Sequence, residues 1–322
     1  MKKKKLNRKS VWLIGSGDIS EHYFKVLKSK NRNITIIGRS KKSCNKLEHK
    51  INNYVISGGL EVFLKNNPEV PDYVIVAVNI EELTNVCNRL IKFGVKKILC
   101  EKPCSLELKE LIALEKKIRK NFVTFSIVYN RRFYETVQNA KKIIKKDGGL
   151  LSINFQFNEK IKDIYKKGYS KKVLSRLLIV NSSHLIDLVF FIEDSNLIKL
   201  NTFTAGKLAW HKSASIFNGH AKTINGTIIS YHANWNSSGR WSLELMTKKS
   251  KIILNPLETL TVFNHSGKSK IIKNKKNLDI NFKAGFYQMI DLFENNKLKD
   301  FCSIQDQIQN IKIYNKIGNY KN

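Results

Sequence analysis

Apolar and polar positions follow two different rhythms in the two parts of this chain. Through the first 127 residues, short unbroken apolar runs take turns with longer stretches in which apolar residues recur every three or four positions. The unbroken runs are expected as strands covered on both faces, and the longer stretches as amphipathic helices. Residues 10–14 form the first strand, followed by a helix to about Ser29 in which Phe24 and Leu27 lie three apart. Residues 34–37 read as the second strand, and 73–78, 97–100 and 121–127 as the fourth, fifth and sixth. A helix begins at Asn79 and runs to about Phe93, where Gly94 ends it. Ser105 reads as the N-cap of another, with Leu106, Leu108, Leu111, Ile112 and Ile118 on its apolar face. This alternation predicts a doubly wound parallel sheet, with right-handed crossovers placing helices on both faces.

The rhythm changes after Tyr129. A helix runs to about Lys146 and is closed by Gly148-Gly149. Leu151, Ile153, Phe155 and Phe157 then alternate with Ser152, Asn154 and Gln156, the pattern of a strand with one buried face. A basic, irregular segment (160–172) leads into a helix over 175–192, on which His184 and Asp187 share a side. Apolar runs at 200–203, 223–235, 241–246, 251–254 and 260–263, joined by short polar turns, predict a mostly antiparallel sheet. Two helices, 282–295 and 303–317, close the chain. The expected fold is α/β: an N-terminal Rossmann domain over 1–127, with a doubly wound parallel sheet, and a C-terminal α+β domain over 128–322 with a large sheet. The second face of that sheet needs cover. A partner subunit would supply it, so a homo-oligomer, dimer or tetramer, is expected.

Two stretches carry chemistry. Gly15-Ser16-Gly17-Asp18-Ile19-Ser20 sits between the first strand and its helix, the context of a dinucleotide fingerprint. Gly15 permits the tight turn, Gly17 lets a pyrophosphate approach the backbone, and free N–H groups at the helix start bind its charge. Ser20 stands where the pattern has its third glycine, and is small enough for helix and strand to pack closely. The second strand ends not in the acid that binds an NAD ribose but in Gly38-Arg39-Ser40-Lys41-Lys42. Arg39 and Ser40 would welcome a 2′-phosphate, which favours NADP(H), with NAD(H) as the alternative. The other stretch is Glu101-Lys102-Pro103, at the carboxyl end of the fifth strand, the edge where open α/β sheets bind ligands.

Composition alters this picture little. The net charge is +32, and a basic surface attracts polyanions. The lysines, however, are scattered as singles and pairs, and no nucleic-acid motif accompanies them, so nucleic-acid binding is not expected. A run of about 18 apolar residues is missing, so membrane insertion is not expected. Residues 1–5 carry the charge of a signal peptide's first region, but the apolar run behind them is shorter than the 7–15 residues of an export core. Five irregularly spaced cysteines (44, 87, 100, 104 and 302) fit reduced thiols, and with them a cytoplasmic protein. His211, His220 and His232 show no metal spacing, and no metal is expected. Trp235 and Trp241 read as sheet core, with a sugar-stacking aromatic as the alternative.

Taken in order, these pieces resemble the glucose-fructose oxidoreductase/inositol dehydrogenase (Gfo/Idh/MocA) family over nearly the whole chain. The matching motifs are Gly15-Ser16-Gly17-Asp18-Ile19, Glu101-Lys102-Pro103, Tyr129-Asn130-Arg131-Arg132-Phe133 and His184-Leu185-Ile186-Asp187. Pro256-Leu257-Glu258 before a strand and a helix over 282–293 also fit. The resemblance implies an NAD(P)-dependent oxidoreductase. It would move a hydride between nicotinamide and a hydroxyl or keto carbon of a sugar, sugar phosphate or nucleotide sugar. It implies that Lys102 hydrogen-bonds the reacting oxygen and that His184 is the general acid/base, with Asn181 beside them at the substrate. An imidazole titrates near neutrality, and an ammonium lowers the energy of a developing alkoxide. Glu101 and Pro103 would shape the turn against the nicotinamide, where the family often has a cis Lys–Pro bond. Val78, Asn79, Asn130 and Arg131 complete the cofactor-binding candidates. There is one departure. Many catalytic members carry an acid four residues before the histidine, and here that position is Val180. Asn181 or Ser183 would then share the positioning, or Lys102 would carry more of the catalysis. The alternative is a catalytically weak or inactive dinucleotide-binding protein, a sensor or assembly partner. Asp187 reads as a helix anchor.

Overall fold

The apolar runs of the first half assemble into one parallel sheet. A computed structural model describes residues 8–275 and 277–320, so the lysine-rich start over 1–5 lies outside the described residues. The first elements are β1 (Ser10–Ile14), α1 (Asp18–Ser29), β2 (Asn33–Ile37), α2 (Lys41–Ile51), α3 (Gly59–Leu64) and β3 (Tyr73–Val76). They are followed by α4 (Leu83–Phe93), β4 (Lys97–Glu101), α5 (Leu108–Lys120) and β5 (Thr124–Val128). The strand order is β2-β1-β3-β4-β5, all parallel. Val11, Leu13, Val74, Ile75, Ile98 and Leu99 are wholly buried, as unbroken apolar strands between two helical layers should be. The sheet has five strands, not the six implied by counting residues 73–78 as the fourth. Between β2 and β3 lie α2, α3 and a single bridge from Ile37 to Ile56, because that segment holds no apolar run long enough for a ladder.

Ser105 is not an N-cap. Its hydroxyl accepts the Glu107 N–H at 2.9 Å and donates to the Glu110 carboxylate at 2.6 Å, bracing the turn before α5, whose cap is Glu107. Ile112 lies on the exposed side of that helix, and Leu114 takes the buried place.

The second sheet is built by alternation. Its elements are α6 (Glu135–Asp147), β6 (Leu150–Phe157), α7 (Ile161–Tyr165), α8 (Lys171–Leu174), α9 (Ser183–Glu193) and β7 (Leu197–Ala205). Then come β8 (Ile216–Thr223), β9 (Ile228–Asn234), β10 (Trp241–Thr247), β11 (Lys251–Leu254), β12 (Leu260–Phe263), β13 (Ser269–Ile272) and α10 (Leu278–Asn281). Eight strands run in the order β13-β12-β11-β10-β6-β9-β8-β7, antiparallel except for β6 beside β9. Ile153, Phe155, Phe157, Phe217, Tyr231, Leu243 and Leu245 fill the inner face, and α9 packs against β6 there. The run at 223–235 is not one strand. Thr223 closes β8, with its hydroxyl donating to Glu193 at 2.7 Å and accepting the Thr227 N–H at 3.1 Å, and the chain turns into β9. The helix expected over 175–192 opens with a π turn, Leu178–Ser182, before α9. His211 is buried between the Ala214 carbonyl and the Tyr320 hydroxyl, both at 2.6 Å, and burial pushes its pKa down.

The closing helices, α11 (Phe286–Glu294) and α12 (Ile304–Gly318), refine the domain plan. One compact unit holds the described residues up to Val128 together with Phe286–Ile308; the other holds Tyr129–Gly285 and the residues from 309 on. The boundary near 127 thus has a sequel: residues 286–308 pack with the parallel sheet. Phe286 meets Tyr23 with ring centroids 4.8 Å apart, Phe293 meets Tyr73 at 5.7 Å, and the Ile127 N–H donates to the Cys302 carbonyl. Glu294 completes the join. Its buried carboxylate accepts two 2.7 Å bonds from Arg32 and one from the Tyr73 hydroxyl, with Lys30 at 3.4 Å.

Burial alone would raise the Glu294 pKa, but the bonds from Arg32 and Tyr73 outweigh it and hold the carboxyl below its usual value. A lowered folded-state pKa contributes stability above the ordinary carboxylate range of about 4.3, and that contribution disappears as pH falls through the folded value. Glu294→Gln is expected to cost about 3 kcal/mol at pH 7 and far less at pH 3, measured by urea unfolding at both.

Candidate active site

A cavity of about 630 Å³ opens at the carboxyl ends of β1, β2 and β3. Its lining includes Gly15, Ser16, Gly17, Ile19, Arg39, Ser40, Val78 and Asn79, eight of the expected cofactor-binding residues gathered in one place. Gly15 has φ +127°, and a Cβ there would overlap the Ala77 carbonyl oxygen. Gly17 begins α1 with no side-chain cap, so the first N–H groups of a twelve-residue helix have no side-chain acceptor at their cap. Ser20 is wholly buried and donates to the Gly15 carbonyl at 2.9 Å, which ties helix to turn. Asp18 instead points to the surface and pairs with Lys50 at 3.3 Å. Gly15→Ala should destabilise this unit by roughly 1–3 kcal/mol and abolish dinucleotide binding, checked by thermal unfolding and fluorescence titration.

At the end of β2, Ser40 caps α2 by accepting the Ser43 N–H, and its hydroxyl lies 2.8 Å from that of Ser43. Arg39 is largely exposed and lies 4.0 Å from Glu82. Ser43, Gly58, Gly59, Glu61, Asn85 and Arg89 also line the cavity. Sequence reasoning passed over them because they come from α2, α3 and α4 rather than from the motif; the Gly58-Gly59 pair was the available signal.

Lys102 follows β4 directly, and its bond to Pro103 is cis. The turn is braced on several sides. Tyr23 donates to Glu101 at 2.7 Å, Gln307 to the Pro103 carbonyl at 3.0 Å, and Thr84 to the Cys104 carbonyl at 2.9 Å. Cys104 has φ +66°, so the chain bends back within four residues of the strand. All five cysteines are buried as thiols.

The second unit has a cavity of its own, of about 280 Å³, lined by Arg131, Glu159, Lys160, Asn181, Arg240, Trp241 and neighbours. Trp241 therefore lines a cavity and is not sheet core, whereas Trp235 is core. The Arg131 guanidinium lies over the Trp241 ring at 4.7 Å. His184 is 8% exposed, edge-on to Tyr129 at 5.8 Å and 6.2 Å from Trp241 between ring centroids. Asn130 is buried and donates to the Ala284 carbonyl at 3.0 Å. Asp187 receives a two-pronged bond from Arg132, at 2.8 and 2.6 Å, with both side chains buried. Sequence reasoning missed Glu159. Its oxygens accept Asn181 Nδ2 at 2.6 Å and Ser182 Oγ at 2.5 Å.

Comparison with known proteins follows the same lines. Residues 9–129 match the model of the oxidoreductase family with the NAD-binding Rossmann fold, Gfo/Idh/MocA. Those residues belong to the Gfo/Idh/MocA oxidoreductase family. No curated protein sequence matches the chain at a significant level. Solved structures resemble it over its length. An oxidoreductase from Agrobacterium radiobacter, in complex with NAD+, L-tartaric acid and magnesium, is 13% identical with a TM-score of 0.79, covering 97% of this chain and 96% of that one. UDP-N-acetylglucosamine 3-dehydrogenase GnnA from Acidithiobacillus ferrooxidans is 13% identical with a TM-score of 0.75, covering 97% of each chain. A dehydrogenase from Clostridium difficile is 15% identical with a TM-score of 0.78, covering 97% and 99%. At these identities the likeness is one of fold.

The family's dinucleotide fits the residues present. The Gly15 turn, where a side chain would collide with the Ala77 carbonyl, and the start of α1 would hold a pyrophosphate, and the groups at the end of β2 would hold the adenosine ribose. Among the described residues no group of three or more His, Cys, Asp or Glu could hold a metal ion, and no helix is long and apolar enough to cross a membrane.

Proposed function

We propose that this Gfo/Idh/MocA oxidoreductase is a cytosolic, NADP(H)-preferring enzyme. Its reaction interconverts a hydroxyl and a keto carbon of a sugar that bears an anionic group, a sugar phosphate or a nucleotide sugar. The observation that carries the reading is the lined cavity at β1–β3, built on Gly15 and Gly17 and flanked by Arg39, Ser40 and Ser43 where an NAD enzyme would place a carboxylate. The anionic substituent is supported by Arg131, Lys160, Lys167 and Arg240 around the second cavity, four cations against the carboxylates of Glu159, Asp163 and Glu258, the first of which is engaged by Asn181 and Ser182. When bound, the nicotinamide accepts or returns the hydride. Lys102 hydrogen-bonds the reacting oxygen and stabilises its negative charge as the proton leaves. His184 takes that proton in oxidation and gives it back in reduction. The outer face of the large sheet carries exposed Phe203 and Ile228, which supports a homo-oligomer in which a second copy covers it.

The test is a titration of the protein with NADPH and with NADH, followed by fluorescence, for the native chain and for Arg39→Asp. NADPH is expected to bind at least about tenfold more tightly, an Arg–phosphate contact being worth about 1.5–3 kcal/mol, and Arg39→Asp to reverse the order. Equal affinities unaffected by the change refute the NADP(H) preference. Binding of neither refutes the oxidoreductase reading.

A further inference from the structure

Glu159 stands two residues past the end of β6 and is 6% exposed. A carboxylate withdrawn from water is costly unless its oxygens are satisfied. Here both oxygens are turned on two consecutive residues, Asn181 at 2.6 Å and Ser182 at 2.5 Å. Those residues end the π turn Leu178–Ser182, and α9 starts at the next position, with Ser183 Oγ donating back to the Ile179 carbonyl at 2.7 Å. A π turn fits one more residue per ring than an α-helix and is uncommon without some feature that holds it. His184 is the second residue of α9, so its place is set by how that turn is held. Residues 180–183 are Val, Asn, Ser and Ser, so the helical turn before His184 brings no carboxylate of its own. Asn181 also lines the 280 Å³ cavity. With its Nδ2 committed to Glu159, its Oδ1 is left to accept a ligand hydroxyl.

We propose that Glu159 is the positioning residue of the substrate side of the site. Reaching across from β6, it clamps the π turn so that the His184 imidazole keeps one orientation, and it turns Asn181 so that its carbonyl oxygen faces the cavity as an acceptor. The proposal rests on the oxidoreductase reading above for its kinetic consequence, but not for its structural one. The same geometry makes Asn181 a specificity residue: it demands a hydroxyl donor on the substrate rather than an ether or a deoxy carbon.

The experiment uses the full chain with Glu159→Gln, Glu159→Ala and Asn181→Ala. It reads steady-state kinetics, dinucleotide affinity, thermal midpoint and the ring resonances of 15N-labelled histidines, with His184→Asn to assign the signal. Glu159→Ala is expected to lose roughly 100-fold in kcat, the cost of misplacing a group by about 1 Å. Glu159→Gln, which keeps the shape and one acceptor, should recover part of that loss, and dinucleotide affinity should stay unchanged in both. Asn181→Ala should raise the substrate KM more than it lowers kcat. The His184 ring signal should move or broaden in Glu159→Ala. If that variant does not fold, the Glu159→Gln and Asn181→Ala results decide. Unchanged kcat together with an unmoved His184 signal in a folded Glu159 variant overturns the proposal. If the native chain binds no dinucleotide and turns over no sugar, the oxidoreductase reading fails, and the His184 signal still decides whether Glu159 positions the ring.

Discussion

Alanine at His184 is expected to lower kcat by roughly 10²–10⁴-fold, the usual contribution of a general acid/base, with dinucleotide binding intact. His184 is 8% exposed, its ring near those of Tyr129 and Trp241, and belongs to the second unit, whereas the glycine turn belongs to the first. Affinity and turnover therefore separate in this variant. Lys102→Ala should cost about 10²–10³-fold, as loss of one donor to a developing oxyanion does. Lys102→Arg should recover little, because a planar fork does not replace a compact ammonium. Stopped-flow traces of hydride transfer check both. Turnover within a few-fold of the native value would remove the assigned role from whichever residue was changed.

The largest effect on stability is expected at Asp187. Truncation to alanine leaves the Arg132 guanidinium in the interior without the carboxylate that takes two of its N–H groups, and breaking such a pair costs about 3–5 kcal/mol. Arg132 also lies over the rings of Tyr129 and Phe191, so its displacement disturbs the packing beneath His184. Urea unfolding of Asp187→Ala and Asp187→Asn measures this. The asparagine variant should lose less, since it keeps one acceptor toward Arg132. The reading of Asp187 as a helix anchor agrees with this geometry.

The parallel sheet was legible because each of its strands carries adjacent apolar residues and is followed within three positions by glycine, asparagine or proline. The strand β6 was legible from strict alternation. What escaped did so for local reasons. In β8, Asn218, His220 and Lys222 give the outer face the look of a loop, and in β13 only Ile271 and Ile272 are apolar. The π turn left no trace, because its extra residue is absorbed without a change in polarity. Among the expected site residues, glycines 15 and 17, Arg39, Ser40 and Asn79 line one cavity. Residues supplied by distant segments escaped the motif reading. Glu159 looked like one more charge at the edge of a basic stretch, and Glu294, which fixes α11 through Arg32 and Tyr73, sits in a helix that reads as an ordinary amphipathic one.

The return of residues 286–308 to the parallel-sheet unit has a consequence for how the protein is made. On the ribosome the five strands of that sheet have emerged by Val128, yet Arg32, Tyr73 and the Tyr23 ring wait for partners more than 200 residues further along the chain. The nucleotide-binding unit is therefore finished only after the intervening unit has been synthesised. Neither unit corresponds to a continuous stretch of gene, so a fragment stopped at Val128 carries the whole glycine loop with its α11 side uncovered. Nascent chains stalled there should be chaperone clients, and those released after residue 308 should not.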